Sequence, residues 1–253
     1  MKVIAIANYK GGVAKTTTAC NLSAGLARKG HRVLVIDNDP QSNLTGCFMN
    51  ARAAAQLRAS IHDAMVAKIP GAVPLPIVNV RPGLDLVPST LKHSGTETAI
   101  SGRADAAEIL KRIIDPLREK YDFIIIDCPP TPSHLNINAL VAADRVIVPV
   151  ELQALPVKGI QQITQMVEIV RSNLNPSLLL GGIVCTRYKS NNLAKVNEGM
   201  LRQMYDVVFE TKINESVQIA MAPAFGRTIF EQAPDSKAAK QFEALVEEME
   251  LMK

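Results

Sequence analysis

The sequence predicts an α/β fold of three layers, a mostly parallel central sheet flanked by helices, and three observations predict it. Short continuous apolar runs recur at Val3–Ala7, Val33–Ile36, Phe123–Ile126, Val146–Val150 and Leu178–Cys185, and such runs read as strands buried on both faces. Stretches of helix formers separate them, so the strands are joined by crossovers and run parallel. The chain has 253 residues, which fits one large domain spanning 1–253 and suffices for an extensive core.

The first strand, Val3–Ala7, is bounded by Asn8 and leads into the loop Lys10-Gly11-Gly12-Val13-Ala14-Lys15-Thr16-Thr17. Helix formers then run from Thr17 to Arg28, and Lys29-Gly30 stops them. Strand, glycine-containing loop and helix in that order aim backbone N–H groups and the positive helix end at one point, which suits phosphate oxygens. Lys15 adds a mobile cation, and Thr16 offers a hydroxyl to Mg²⁺. A bare glycine pair would be an ordinary joining turn; the Lys-Thr pair at the helix start argues against that. The general phosphate-loop pattern has glycine immediately before the lysine, where this chain has Ala14, so a methyl group points into a tight loop.

With its extra leading lysine, the string K-G-G-x-x-K-T-T resembles the deviant Walker A loop of the ParA/MinD ATPases, and the resemblance covers nearly the whole chain. It implies a P-loop NTPase fold, ATP and Mg²⁺ as ligands, and a phosphate cradle of Gly11, Gly12, Val13, Ala14, Lys15, Thr16 and Thr17. It also implies that Lys10 reaches across a dimer to the nucleotide of the other subunit.

The second strand, Val33–Ile36, delivers Asp37-Asn38-Asp39-Pro40-Gln41 from its carboxyl end, the edge at which open α/β sheets bind ligands. Taken alone, Asp-Asn-Asp-Pro is equally an ordinary turn. Beside a phosphate loop it matches the family's second motif, D-x-D-P-Q, at every fixed position. The resemblance implies that Asp37 belongs to the Mg²⁺ and switch network and that Asp39 orients the hydrolytic water.

An alanine-rich helix is expected over Asn50 to Ala67, with Ser60-Ile61-His62-Asp63 as a helix start and His62 a surface or capping residue. Pro70, Pro74, Pro76 and Pro82 then break regular structure before a short strand at Leu84–Pro88, and this stretch reads as a loop within one domain. His93 and the polar run near Gly95 and Thr96 carry no recognisable chemistry. Ala104 to Glu119 reads as an amphipathic helix with Ile109, Ile113 and Leu117 on one face. Next comes Tyr121 to Pro130, an apolar strand ending in Asp127. That is the Walker B arrangement, and Asp-Cys-Pro-Pro resembles the family's third motif, which implies that Asp127 holds Mg²⁺ directly or through water. Cys128 reads as packed and His134 as surface. Beyond them the chain alternates: helix Gly159–Arg171, strand Leu178–Cys185, helix Asn192–Met204, short strand Val207–Phe209 and last helix Ser236–Met252.

A formal net charge of +4 permits binding to nucleic acid or anionic membrane and demands neither. Cys20, Cys47, Cys128 and Cys185 lack paired spacing and read as reduced, buried thiols. With no leader before the first strand and no apolar stretch long enough to span a bilayer, a cytoplasmic protein is expected. Asn-Lys-x-Asp, the guanine-reading string, is absent, so adenine is favoured; Thr186, Arg187, Ile213 and Asn214 would flank the base. Basic residues gather in the last third, at Arg187, Lys189, Lys195, Arg202, Lys212, Arg227, Lys237 and Lys240. They suit phosphate contacts without sequence reading, or an ordinary solvated surface. The tail from Phe242 has an acidic polar face, which opposes anionic lipid and reads as a helix packed on the sheet.

The resemblance therefore implies an ATPase that forms a homodimer on binding ATP and binds non-specific DNA while nucleoid-associated. A ParB-like or other adaptor protein would stimulate slow hydrolysis, and the cycle would position or partition a plasmid, chromosome region or protein assembly. No membrane contact is expected. The alternatives are a MinD-like membrane-associated regulator and a non-cycling nucleotide-dependent scaffold.

Overall fold

The computed structural model describes residues 2–152 and 157–252. Eight strands form one sheet: β1 (Lys2–Ile6), β2 (Val33–Asp37), β3 (Val78–Arg81), β4 (Leu84–Val87), β5 (Phe123–Asp127), β6 (Arg145–Glu151), β7 (Leu179–Tyr188) and β8 (Val208–Asn214). Their spatial order is β3-β4-β2-β5-β1-β6-β7-β8, and every neighbouring pair is parallel except β3 with β4. The mostly parallel sheet is thus as expected. β3 was missed because its burial is intermediate and its run short, as suits an edge hairpin.

Period-two alternation along each central strand divides the core between the two faces. Val3 and Ala5, Leu34 and Ile36, and Ile124 and Ile126 face one side; Ile4 and Ile6, Val33 and Val35, and Phe123 and Ile125 face the other. Helices cover both. In chain order they are α1 (Lys15–Arg28), α2 (Asn43–Phe48), α3 (Ala51–Ala55), α4 (Ile61–Met65), α5 (Thr96–Ile100), α6 (Ile109–Ile114), α7 (His134–Ala142), α8 (Val157–Asn173), α9 (Asn192–Met204), α10 (Val217–Met221), α11 (Ile229–Gln232) and α12 (Lys237–Glu250). Residues of α1, α2, α11 and α12 pack in the second core, and residues of α4 to α9 pack in the first. No helix among the described residues is long and apolar enough to cross a membrane.

Two helix expectations need correction. Asn50 to Ala67 is two short helices, α3 and α4, because Ser60 starts a new one: its backbone N–H donates to Asp63 Oδ2 at 2.8 Å in a capping box. The helix expected over Ala104 to Glu119 is confined to Ile109–Ile114, followed by one 3₁₀ turn at Asp115–Leu117. Pro116 explains the end, having no N–H to continue the ladder. At the other end, Asn138 on α7 accepts the Leu110 N–H at 3.0 Å and so fixes the start of α6. All four cysteines are buried free thiols, as the sequence suggests.

Candidate functional site

Register brings the three motifs together at one edge of the sheet. The last residues of β1 and β2, Ile6 and Asp37, both sit opposite Asp127 of β5. The sheet order reverses direction about β1, so the crevice opens above these strand ends, where doubly wound sheets bind ligands.

The loop from β1 to α1 is anchored at three points. Asn8 donates to Pro149 O at 2.8 Å and accepts the Lys10 N–H at 3.0 Å. The Thr186 hydroxyl lies 3.0 Å from Val13 O and 3.1 Å from Val150 O, tying the loop to β6 and β7. At the helix start, Thr18 donates from both its N–H and its hydroxyl to Ala14 O. Ala14 itself lies in the left-handed region, at φ 62°, as does Gly12 at φ 76°. A Cβ on Gly11 or Gly12 would meet nothing within 4 Å, so these residues border open space.

Lys15 is largely buried, and its Nζ donates to Lys10 O at 3.2 Å, closing the loop on itself. Burial lowers its pKa, with Asp127, Cys128 and Asp39 opposing in turn. Gly11, Gly12, Ala14, Lys15, Thr16 and Thr17 form one wall of a cleft of about 480 Å³. Asp39, Asn43 and Pro130 also line it, as do Arg187, Ile213, Asn214, Glu215 and Ser216 with Ile219, Ala220 and Pro223 beyond. Of the expected residues, Lys10, Val13, Asp37, Asp127 and Thr186 do not line this cleft; Lys10 is half-buried and the other four are buried.

The carboxylates have different environments. Asp39 reaches the cleft, and its Oδ1 accepts the Gln41 N–H at 2.9 Å. Asp37 is fully buried, and Thr45 donates to its Oδ2 from N–H and hydroxyl, each at 2.7 Å, while the Asp39 N–H lies 3.2 Å from Oδ1. Burial still pushes its pKa up to about 7 against those donors. Asp127 is also fully buried, and neither of its oxygens has a hydrogen-bond partner among the described residues. Burial first and the Asp37 charge second raise its pKa well above the usual range; Thr16 and Lys15 oppose this, Thr16 without closing a hydrogen bond of ordinary geometry. Two adjoining buried acids with an orphaned pair of oxygens form a site short of positive charge.

At the far end of the cleft Asn214 is held by its neighbours. Its N–H donates to Gln241 Oε1 at 3.1 Å, its Nδ2 to Tyr188 O at 3.2 Å, and its Oδ1 accepts from Gln241 Nε2. Asn43, Glu215, Ser216, Ile219, Ala220 and Pro223 line the nucleotide-sized cleft without being expected there from the sequence. Asn43 lies four residues past Asp39, a local signal that was available; the 216–223 wall is brought in by tertiary folding alone.

The basic residues of the last third divide into two groups. Arg187 and Lys189 pair with Glu215 at 2.9 and 2.6 Å, and Arg202 and Lys212 pair with Glu198 at 3.2 and 2.7 Å. Lys195, Lys237 and Lys240 have no ion pair among the described residues and line one groove together with Lys212. Arg227 lies 6.0 Å from the Phe225 ring.

Known proteins resemble this chain in sequence and in fold. Residues 1–180 match the AAA domain family. The chromosome-partitioning ATPase Soj of Thermus thermophilus is 39% identical over 252 residues, covering 97% of this chain and 94% of that protein. The chromosome partitioning protein ParA of Caulobacter vibrioides is 36% identical over 233 residues, covering 90% and 86%. The chain belongs to the ParA/MinD-type family of P-loop partition ATPases. Among solved structures, this ParA-type chain is similar to a cobyrinic acid a,c-diamide synthase from Mycobacterium smegmatis with bound ADP and magnesium. The TM-score is 0.83 at 30% identity, covering 98% of this chain and 93% of that one.

Proposed function

We propose that this ParA-type protein is an ATPase that dimerises on ATP, binds DNA without sequence preference and positions a cargo through an adaptor that stimulates hydrolysis. The observation that carries the reading is the convergence of a buried Lys15, a cleft-lining Asp39 and the orphaned oxygens of Asp127 at one sheet edge.

The donor set fits Mg²⁺, since buried carboxylate oxygens without hydrogen bonds beside a threonine hydroxyl are hard oxygen ligands. Thr16 and Asp127 would hold it, with Asp37 stiffening the network through Thr45. Bound there, Mg²⁺ supplies neutralisation of charge on the β- and γ-phosphates. The N–H groups of Gly11 to Thr17 cradle the phosphates, Lys15 adds a cation at the helix start, and Asp39 accepts a hydrogen bond from the attacking water. Lys10 would reach the phosphates of a partner subunit, a reading supported by its being half-buried and outside the lining of its own cleft. Ile213 and Asn214 mark the base end.

For DNA, the supporting feature is the groove of Lys195, Lys212, Lys237 and Lys240, in which three lysines lack an acidic partner among the described residues. The acidic face of α12 is engaged within the chain, Glu250 with Lys29 and His31 and Glu247 with Lys29, which favours a packed tail over a membrane-lying one.

Phosphate release, with and without duplex DNA, tests the proposal. The parent should turn over ATP, Lys15→Ala should lose measurable ATP binding in an equilibrium titration, and Lys10→Ala should bind ATP but fail to dimerise by light scattering. A parent that binds ATP and never releases phosphate is the scaffold, not the ATPase.

A further inference from the structure

His93 lies in the 3₁₀ turn Leu91–Gly95 and is fully buried. Its Nε2 is 3.2 Å from Asn38 Oδ1 and its Nδ1 is 2.8 Å from Thr96 Oγ1. Thr96 Oγ1 is in turn 2.7 Å from Nδ1 of His62. Donor and acceptor roles along this chain follow from its inner end. Asn38 Nδ2 donates to Leu135 O at 2.9 Å, because a carbonyl only accepts, so the Asn38 oxygen faces His93 and needs a donor there. Nε2 of His93 therefore carries the proton.

Burial, with His62 as a second cause, holds the His93 pKa down at about 4, so the ring is neutral at physiological pH and Nδ1 accepts from the Thr96 hydroxyl. That hydroxyl has then given its one proton and accepts from His62. A single directed chain results, His62 to Thr96 to His93 to Asn38 to the carbonyl of Leu135.

Asn38 is the residue between the two motif acids. Its backbone N–H donates to Asp127 O at 3.1 Å, so it also stitches the end of β2 to the end of β5. A buried imidazole with both nitrogens in use costs more to desolvate than a leucine of similar size, and its benefit is direction. We infer that His93 is a positioning residue that holds Asn38 and thereby fixes the turn presenting Asp39 to the cleft. This rests on the reading of Asp39 as the group that orients the attacking water. A displacement of about 1 Å in such a group is enough to cost on the order of 100-fold in rate.

The test compares full-length parent, His93→Leu and His93→Gln in steady-state ATP turnover, with melting curves to show that each is folded. A glutamine amide nitrogen can reach the place of Nε2 and donate to Asn38; leucine cannot. His93→Leu is expected to lower kcat at least about tenfold with KM for ATP within about threefold of the parent, and His93→Gln to restore kcat to within about threefold. Should His93→Leu fail to fold, Thr96→Val, which removes the hydroxyl that holds the ring in place at Nδ1, must show the same fall in kcat at steady KM. The inference is overturned if His93→Leu keeps parental kcat, if the glutamine variant is as slow as the leucine one, or if kcat and KM move together. A parent without ATP turnover overturns the ATPase reading as well; a parent that turns over alongside indifferent variants removes only the role of His93.

Discussion

Ala14 holds a left-handed backbone, φ 62° and ψ 34°, at the position immediately before Lys15. A Cβ in that region costs about 1–2 kcal/mol, while glycine's extra freedom in the unfolded chain costs about 0.4–1 kcal/mol. The strain is the larger of the two, so Ala14→Gly should stabilise the protein by roughly 0.5–1 kcal/mol and raise the melting temperature by about 1–4 °C. A lower melting temperature would show that the alanine methyl has a packing role that outweighs its strain. Asp39 offers a second residue-level test. Its carboxylate lines the cleft and, among the described residues, holds only the Gln41 N–H at 2.9 Å, so its removal leaves the loop's main supports in place. Asp39→Ala should bind ATP near parental affinity and release phosphate at least about 100-fold more slowly, since positioning carries most of phosphoryl transfer. Single-turnover phosphate release reads this directly, and parental turnover with adaptor present would move the water-positioning role elsewhere.

Among the elements, α12 explains why an acidic tail belongs on this fold. Phe242, Leu245, Val246 and Met249 bury its apolar face, and Val246 lies so close to α1 that a Cβ on Gly25 would come within 2.7 Å of it. On its polar side Glu248 accepts the Glu210 N–H at 2.8 Å and the Thr211 N–H at 2.7 Å, covering the open edge of β8. Glu248→Ala uncovers two strand N–H groups and should cost about 1–3 kcal/mol; hydrogen exchange at Glu210 and Thr211 should speed up before that of β1 does. Equal protection in variant and parent would mean that the strand holds without its clamp. Elements whose signal is local are those legible in the sequence: the β1 loop, the acids ending β2 and β5, and the Ser60 start of α4. Pro116 was present in the sequence and still lost to the apolar spacing of Ile109, Ile113 and Leu117, which continued past the true helix end. His93, read as carrying no chemistry, meets Asn38 only through a tertiary contact 55 positions away, which no window along the chain contains.

At the scale of the whole molecule, the site's unbalanced charge should appear in folding stability. Asp37 and Asp127 sit opposite one another on β2 and β5, both fully buried. Asp37 titrates near 7 and Asp127 is also raised, whereas unfolded aspartates titrate near about 4. Between those values the folded state binds more protons than the unfolded one, so these acids make stability fall as pH rises. For Asp37 alone the loss is on the order of 4 kcal/mol across pH 4–7. Asp122, held down at about 2 by Arg32, acts in the opposite sense, but only below pH 4. His93 opposes too, over pH 4–6.5, because its neutral buried ring favours unfolding as pH falls. Comparing Asp127→Asn with the parent cancels that common contribution. Asparagine matches the aspartate in size, and no hydrogen bond to the lost oxygen is broken, because neither oxygen has one. In EDTA and without nucleotide, the variant should therefore melt above the parent, by a margin that widens from pH 5 to pH 8. Adding Mg²⁺ and a non-hydrolysable ATP analogue should reverse the order, since the parent's carboxylate then gains the cation it lacks. A margin that stays flat with pH would mean that Asp127 is not the strained charge of this fold.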